Sequence, residues 1–177
     1  MTDYIYRFTE DDEAIIKEAV ENRTHAQTLM TSRPYSKKRT DREIHETGVR
    51  CELAVMRMLG REFSTVGTPG GDHGHDFIFR GLKCEVKGTK TPGWTLTIRG
   101  TDLSRIRWDV AILVSLDAAE RVATILGGIS AEDFIEYHKI MSLESDAPFA
   151  HVENKYLRDI IILLYKQPAS GAEVASR

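Results

Sequence analysis

The segment that most limits what this chain can fold into is Asp76-Phe-Ile-Phe-Arg-Gly-Leu-Lys-Cys-Glu-Val-Lys87. It reads as two alternating runs with Arg80-Gly81 between them. Gly81 readily supplies the positive φ that a two-residue hairpin turn needs. With that turn, Phe79 lies opposite Leu82, Phe77 opposite Cys84, and Asp76 opposite Glu85. Directly opposed residues share a face and successive residues alternate. One face then collects Phe77, Phe79, Leu82, Cys84 and Val86, and the other Asp76, Ile78, Lys83, Glu85 and Lys87. The register that sorts the apolar residues therefore also sets two carboxylates side by side.

The flanking sequence supplies the rest of one α/β domain. Thr9, with Asp12 or Glu13 just after it, is an N-cap signal for a helix over 9–30, with Ala14, Ile15, Ala19 and Val20 on its apolar face. A polar loop, Ser32 to Thr40, carries the run Lys37-Lys38-Arg39. A second helix is expected from Asp41 to Leu59, ended by Gly60 at the position where glycine is favoured. A short strand over 62–66 and a glycine-rich loop, Gly67 to Gly74, lead to the hairpin. Strands are expected at 76–80, 82–88, 94–99, 109–116 and 121–127, punctuated by Gly and Pro. Ser130 caps an expected helix over 130–141, and residues 156–165 fit either a closing helix or a buried strand. The fold class is α/β, a central mixed sheet flanked by helices. A single domain spans 1–168, with the N-terminal helix and basic loop in 1–40, a core in 41–128 and a flexible tail at 169–177.

Of 177 residues, 41% are hydrophobic and 29% charged, the balance of a globular chain. No run approaches the roughly 18 apolar residues of a membrane span. The acidic start has no signal-peptide pattern, and Cys51 and Cys84 sit in apolar patterns, so a cytoplasmic protein with reduced core cysteines is expected. The net charge of −3 conceals an asymmetry. Residues 1–22 hold seven acidic and two basic side chains, residues 23–61 nine basic and four acidic, and residues 77–108 seven basic and two acidic. Phosphate binding follows local Lys/Arg clustering and not the total, although a solvated mixed-charge surface has the same composition.

Two opposed carboxylates with Cβ atoms roughly 5 Å apart repel unless a cation lies between them. Hard divalent ions take such oxygen ligands. Lys87, on the same face, can offset charge, orient a water or stabilise a phosphorane-like transition state. The same charges also suit a surface salt-bridge cluster with Lys83. Asp76, eight residues, then Glu85-Val86-Lys87 resembles the signature of the PD-(D/E)XK nucleases, whose fold is restriction-endonuclease-like. His75 stands where that signature often has proline. The resemblance covers about residues 41–128 and implies a small phage or bacterial enzyme that cleaves DNA with Mg²⁺ or Mn²⁺. It makes Asp76 and Glu85 metal ligands and Lys87 the catalytic lysine. Family members carry a glutamate on the preceding helix, and Glu52, within Gly48-Val-Arg-Cys-Glu-Leu-Ala-Val, matches it as a further catalytic and metal-site carboxylate. Pairing with Arg50 or Arg57 is its other role.

Lys37, Lys38, Arg39, Arg42 and Lys90 are candidate DNA-backbone contacts. His73 and His75 rim the site, contact phosphate, are plain loop residues, or bind a structural zinc. Besides a metal-dependent DNA nuclease, the sequence suits a catalytically silent nucleic-acid-binding module of the same fold. A Holliday-junction-resolvase-like endonuclease is a narrower alternative; the resemblance leaves a homodimer as one option, with the oligomeric state open.

Overall fold

The computed structural model describes residues 3–28, 41–66, 74–91, 93–142 and 148–166. A first strand, β1 (Tyr4–Arg7), leads into α1 (Glu10–Thr28), and α2 (Asp41–Met58) follows. The hairpin strands are β2 (Phe77–Phe79) and β3 (Leu82–Thr89). Then come β4 (Leu96–Arg99), a 3-10 turn (Leu103–Arg105), β5 (Val110–Leu116), β6 (Val122–Ser130) and α3 (Ala131–Tyr137). The chain closes with β7 (Lys139–Met141), β8 (Phe149–Val152) and α4 (Ile160–Lys166). Among the described residues no helix is long and apolar enough to cross a membrane.

Local chemistry sets the helix ends. Thr9 and Asp12 form a reciprocal cap, Thr9 Oγ1 accepting from Asp12 N at 3.2 Å and Asp12 Oδ2 from Thr9 N at 3.0 Å. Gly60, at φ 64°, closes α2. Its N–H donates to Arg57 O, and Arg61 N–H donates to Met56 O, the paired bonds of a Schellman motif.

The larger sheet has the order β1-β6-β5-β3-β2 and is mixed, with β3 and β5 parallel and the other neighbours antiparallel. One face is covered by α2 and α4, through Cys51, Ala54, Val55, Ile160, Leu163 and Leu164 against Cys84, Val86, Ile112 and Val114. Outside α2, α1 adds a second helical layer through Ile16, Ala19 and Val20 against Val49 and Leu53. The other face, with Ala111, Leu113 and Ile129, packs on Trp108, Phe134 of α3 and the small antiparallel sheet β4-β8-β7. This is a mixed α/β architecture, a mixed sheet flanked by helices.

Two positions need glycine, one for a close approach and one for a bulge. A Cβ on Gly88 would lie 2.6 Å from Cys51 Sγ, so α2 can lie this tightly on β3 only over a bare backbone. In β6 the pairing slips between Leu113↔Gly127 and Val114↔Ile125, leaving Leu126 as a bulge beside Gly127 at φ 135°. The extra residue reverses the alternation: Ile125 faces the helices, whereas Ile129 faces the smaller sheet.

The structure departs from the sequence expectations in several places. Residues 62–66 pair with no strand. The helix after Ser130 stops at Tyr137, and the chain turns into β7 instead of continuing to 141. Gly127-Gly128, read as a strand end, lies inside β6. The run 156–165 is helical only from Ile160, in α4, and a 3-10 turn (Asn154–Tyr156) leads into it. Strands β1, β7 and β8 had no counterpart in the sequence reading.

Candidate active site

The turn at Arg80 (φ 52°) and Gly81 (φ 84°) has positive φ at both central residues, the type I′ geometry. The pairing is Phe79↔Leu82, Ile78↔Lys83 and Phe77↔Cys84, as the alternation requires. Phe79, Leu82, Cys84 and Val86 are buried, and Ile78 is exposed. The ladder ends at Phe77. Beyond it Asp76 N–H donates to Cys84 O at 2.8 Å, and its Oδ2 accepts the Val86 N–H at 2.5 Å. The Asp76 carboxylate thus takes the place of the next ladder carbonyl at the end of β2.

Glu85 and Lys87 pair in register with Ala111 and Leu113, so they point away from the helices toward the smaller sheet. Lys87 Nζ donates to Glu85 Oε1. The repulsion expected between Asp76 and Glu85 is therefore relieved by separate partners, a backbone N–H for one and an ammonium for the other.

Glu85 and Lys87, but not Asp76, line a cleft of about 170 Å³, together with Gly74, Ile98, Arg99, Asp102, Arg105, Ile106, Arg107 and Trp108. The segment from β4 to β5 builds its wall. Leu103, Ile106 and Trp108 pack into the core beneath, Trp108 edge-on to Phe134 at 5.7 Å. Arg105 and Arg107, between those anchors, are exposed. Asp102 caps the 3-10 turn, accepting from Ser104 N at 3.2 Å and Ser104 Oγ at 2.5 Å. The Ser104 hydroxyl foremost, then its N–H and Arg105, hold the Asp102 carboxyl below its usual range. Arg105 Nε lies 3.1 Å from Asp102, and Arg107 Nη1 donates to Ser104 O at 2.6 Å and Ile106 O at 3.0 Å. Gly74, at φ 87°, passes so close that a Cβ would sit 2.8 Å from Arg107 Cβ. Four cations and two carboxylates line the cleft. The sequence reading counted these arginines as charge and gave them no role, although basic residues alternating with apolar ones in Arg105-Ile-Arg-Trp108 already placed them on one side of an anchored segment.

Glu52 is not brought to this cleft. It is buried and receives a two-pronged ion pair from Arg23 of α1, at 2.8 and 2.5 Å. Its helix covers the opposite face of the sheet from Glu85. The partner is Arg23, not the Arg50 or Arg57 that the sequence suggested; Arg50 binds Glu13 and Glu46, and Arg57 binds Asp12. Lys90 is ion-paired with Glu120. Arg42 is exposed and lines a separate cleft with Glu13, Lys17, Glu46 and Arg50. Lys37, Lys38, Arg39, Asp72 and His73 lie outside the described residues. His75 precedes Asp76 with its Nδ1 buried and without a hydrogen-bond partner among the described residues.

Among the described residues no three His, Cys, Asp or Glu side chains gather as a metal-holding group. The oxygen donors of the expected set are Asp76, just before β2, and Glu85 on β3; carboxylates are the hard ligands that Mg²⁺ takes, one or two at a time with several waters kept. Cys84 faces the helices, and burial pushes its thiol up to about 12, so it does not contribute a thiolate. No protein family, no curated protein and no solved structure matches this chain.

Proposed function

We propose that the protein is a metal-dependent DNA nuclease of restriction-endonuclease-like fold, with Asp76, Glu85 and Lys87 at its centre. The observation that carries this reading is the opening of the Glu85–Lys87 pair into a cleft walled by Arg99, Arg105 and Arg107. A carboxylate beside a lysine is common on surfaces, but here it stands at the end of a basic cleft of phosphate scale. A divalent ion held by Asp76 and Glu85 would supply Lewis-acid polarisation of the phosphate and a readily deprotonated water. The chain's own groups do the remainder. The arginines hold the phosphate oxygens, Lys87 balances developing negative charge, and the apolar floor of Ile98, Ile106 and Trp108 limits water around the reacting group.

In this reading Glu52 is a structural residue that joins α1 to α2, and Arg42 and the Lys37–Arg39 run are contacts for the outer duplex. The self-contained pairing of Asp76 with Val86 N–H and of Glu85 with Lys87 favours one second reading, a nucleic-acid-binding module without catalysis. The deciding experiment is cleavage of plasmid, linear and branched DNA with Mg²⁺ or Mn²⁺ against an EDTA control, for the wild type, Lys87→Ala, Glu85→Gln and Asp76→Asn. The last keeps an acceptor for Val86 N–H while removing charge. Metal-dependent cutting that falls at least about 100-fold in each folded variant supports the nuclease. DNA binding without cutting of any substrate gives the binding module the lead.

A further inference from the structure

We infer that the arginine wall is a subsite for the terminal phosphate of a nucleic-acid strand, so that the protein works from phosphorylated chain ends. The inference deepens the nuclease reading, which supplies the strand; the phosphate site itself rests on three features of the cleft. The first is size: the cleft holds about 170 Å³, room for a phosphoryl group among its lining side chains. The second is charge. Four cationic side chains, Lys87, Arg99, Arg105 and Arg107, line the cleft with the carboxylates Glu85 and Asp102, and the three arginines are exposed. A terminal phosphate carries about −1.5 to −2 near neutral pH, whereas a phosphate inside a strand carries a single charge.

The third feature is donor geometry. The Asp102 contact engages Nε of Arg105, and the two carbonyls engage Nη1 of Arg107. Both Nη groups of Arg105, and Nη2 of Arg107, have no protein acceptor among the described residues. The guanidinium of Arg107 is fixed by backbone carbonyls, on a segment anchored by Trp108 and passed closely by Gly74. Donors held in this way lose little freedom when they bind, and guanidinium forks match phosphate oxygens two at a time.

The test is binding in EDTA, where cutting cannot interfere, by fluorescence anisotropy of the full chain. The probes are one labelled oligonucleotide with a 5′-phosphate, with a 3′-phosphate, and with hydroxyls at both ends. A preference of about tenfold or more for one phosphorylated end is expected, as charge-assisted bonds to a dianion imply, and inorganic phosphate should erase it. Arg105→Gln and Arg107→Gln should each reduce the preference to about twofold. Arg7→Gln, on β1 at the far edge of the sheet, should leave it intact. Equal binding of all three strands overturns the inference, as does a preference that survives both cleft substitutions. Cutting with equal end binding would leave the nuclease standing and remove the end-directed subsite. A phosphate preference without cutting would do the reverse.

Discussion

Single residues carry much of the specificity of this fold, and Glu52 is the sharpest case. Its carboxylate is almost fully buried against Arg23, so removing its charge breaks a two-pronged ion pair between α1 and α2. Glu52→Gln should cost about 3 kcal/mol in chemical denaturation, in line with broken buried pairs, while the DNA-cleavage rate of the folded fraction stays near wild type. Loss of cleavage with full stability would instead return Glu52 to the catalytic group. Gly88→Ala should cost about 1–3 kcal/mol through its clash with Cys51 Sγ, and Cys51→Ala in the same chain should recover part of that loss. Asp12 sets an acid limit. Burial alone would raise its carboxyl, but the Thr9 N–H, the Tyr6 and Thr9 hydroxyls and Arg57 outweigh burial and hold it below the usual range. A depressed native pKa gives stability that is complete above the unfolded value, near 3.9, and is lost as pH falls through the native one. Thermal melts should therefore drop steeply below about pH 4, and Asp12→Asn should be less stable at pH 7 with a flatter acid slope.

At the level of elements, legibility followed how locally each element is determined. The hairpin register could be read because a two-residue turn and strict alternation leave no other arrangement that buries Phe79, Leu82, Cys84 and Val86 together. Caps at Thr9 and Ser130 and the stop at Gly60 were legible for the same reason, since their partners lie within a few residues. Strand β1 is four residues, Tyr4–Arg7, with alternating burial and no flanking turn signal; it exists because β6 offers an edge. The bulge at Leu126 was hidden because Gly127-Gly128 has the composition of a turn, and only pairing with β5 shows that the strand runs through it. The arginine wall depends on the packing of Leu103, Ile106 and Trp108 against elements far along the chain. The turn itself can be tested: Arg80 sits at φ 52°, where asparagine is better tolerated. Arg80→Asn should gain up to about 0.5 kcal/mol, less what is lost from the Arg80 contact over the Tyr165 ring. Equilibrium unfolding, with Tyr165→Leu as the second arm of a double-mutant cycle, separates the two contributions.

For the whole molecule, acidic α1 and the basic cleft lie on different layers, so a chain of net charge −3 can still present a positive face to DNA. On the proposed reading, one doubly charged end phosphate held in the cleft should contribute a slope of about −1 to −2 to a plot of log affinity against log salt, shallower in Arg107→Gln. A slope near zero would mean that phosphates are not what the cleft takes. The parallel pairing of β3 with β5 has a broader consequence. Two strands running the same way cannot be joined by a tight turn, so the chain must make a detour from one end of the sheet to the other. Here that detour contains β4, the Asp102-capped turn and all three wall arginines. Geometry compels the excursion but leaves its content open to selection, so the part of the molecule that topology merely requires is free to vary in substrate preference. On the proposed reading, recoding residues 100–107 should therefore change which DNA ends are accepted without re-registering a single strand.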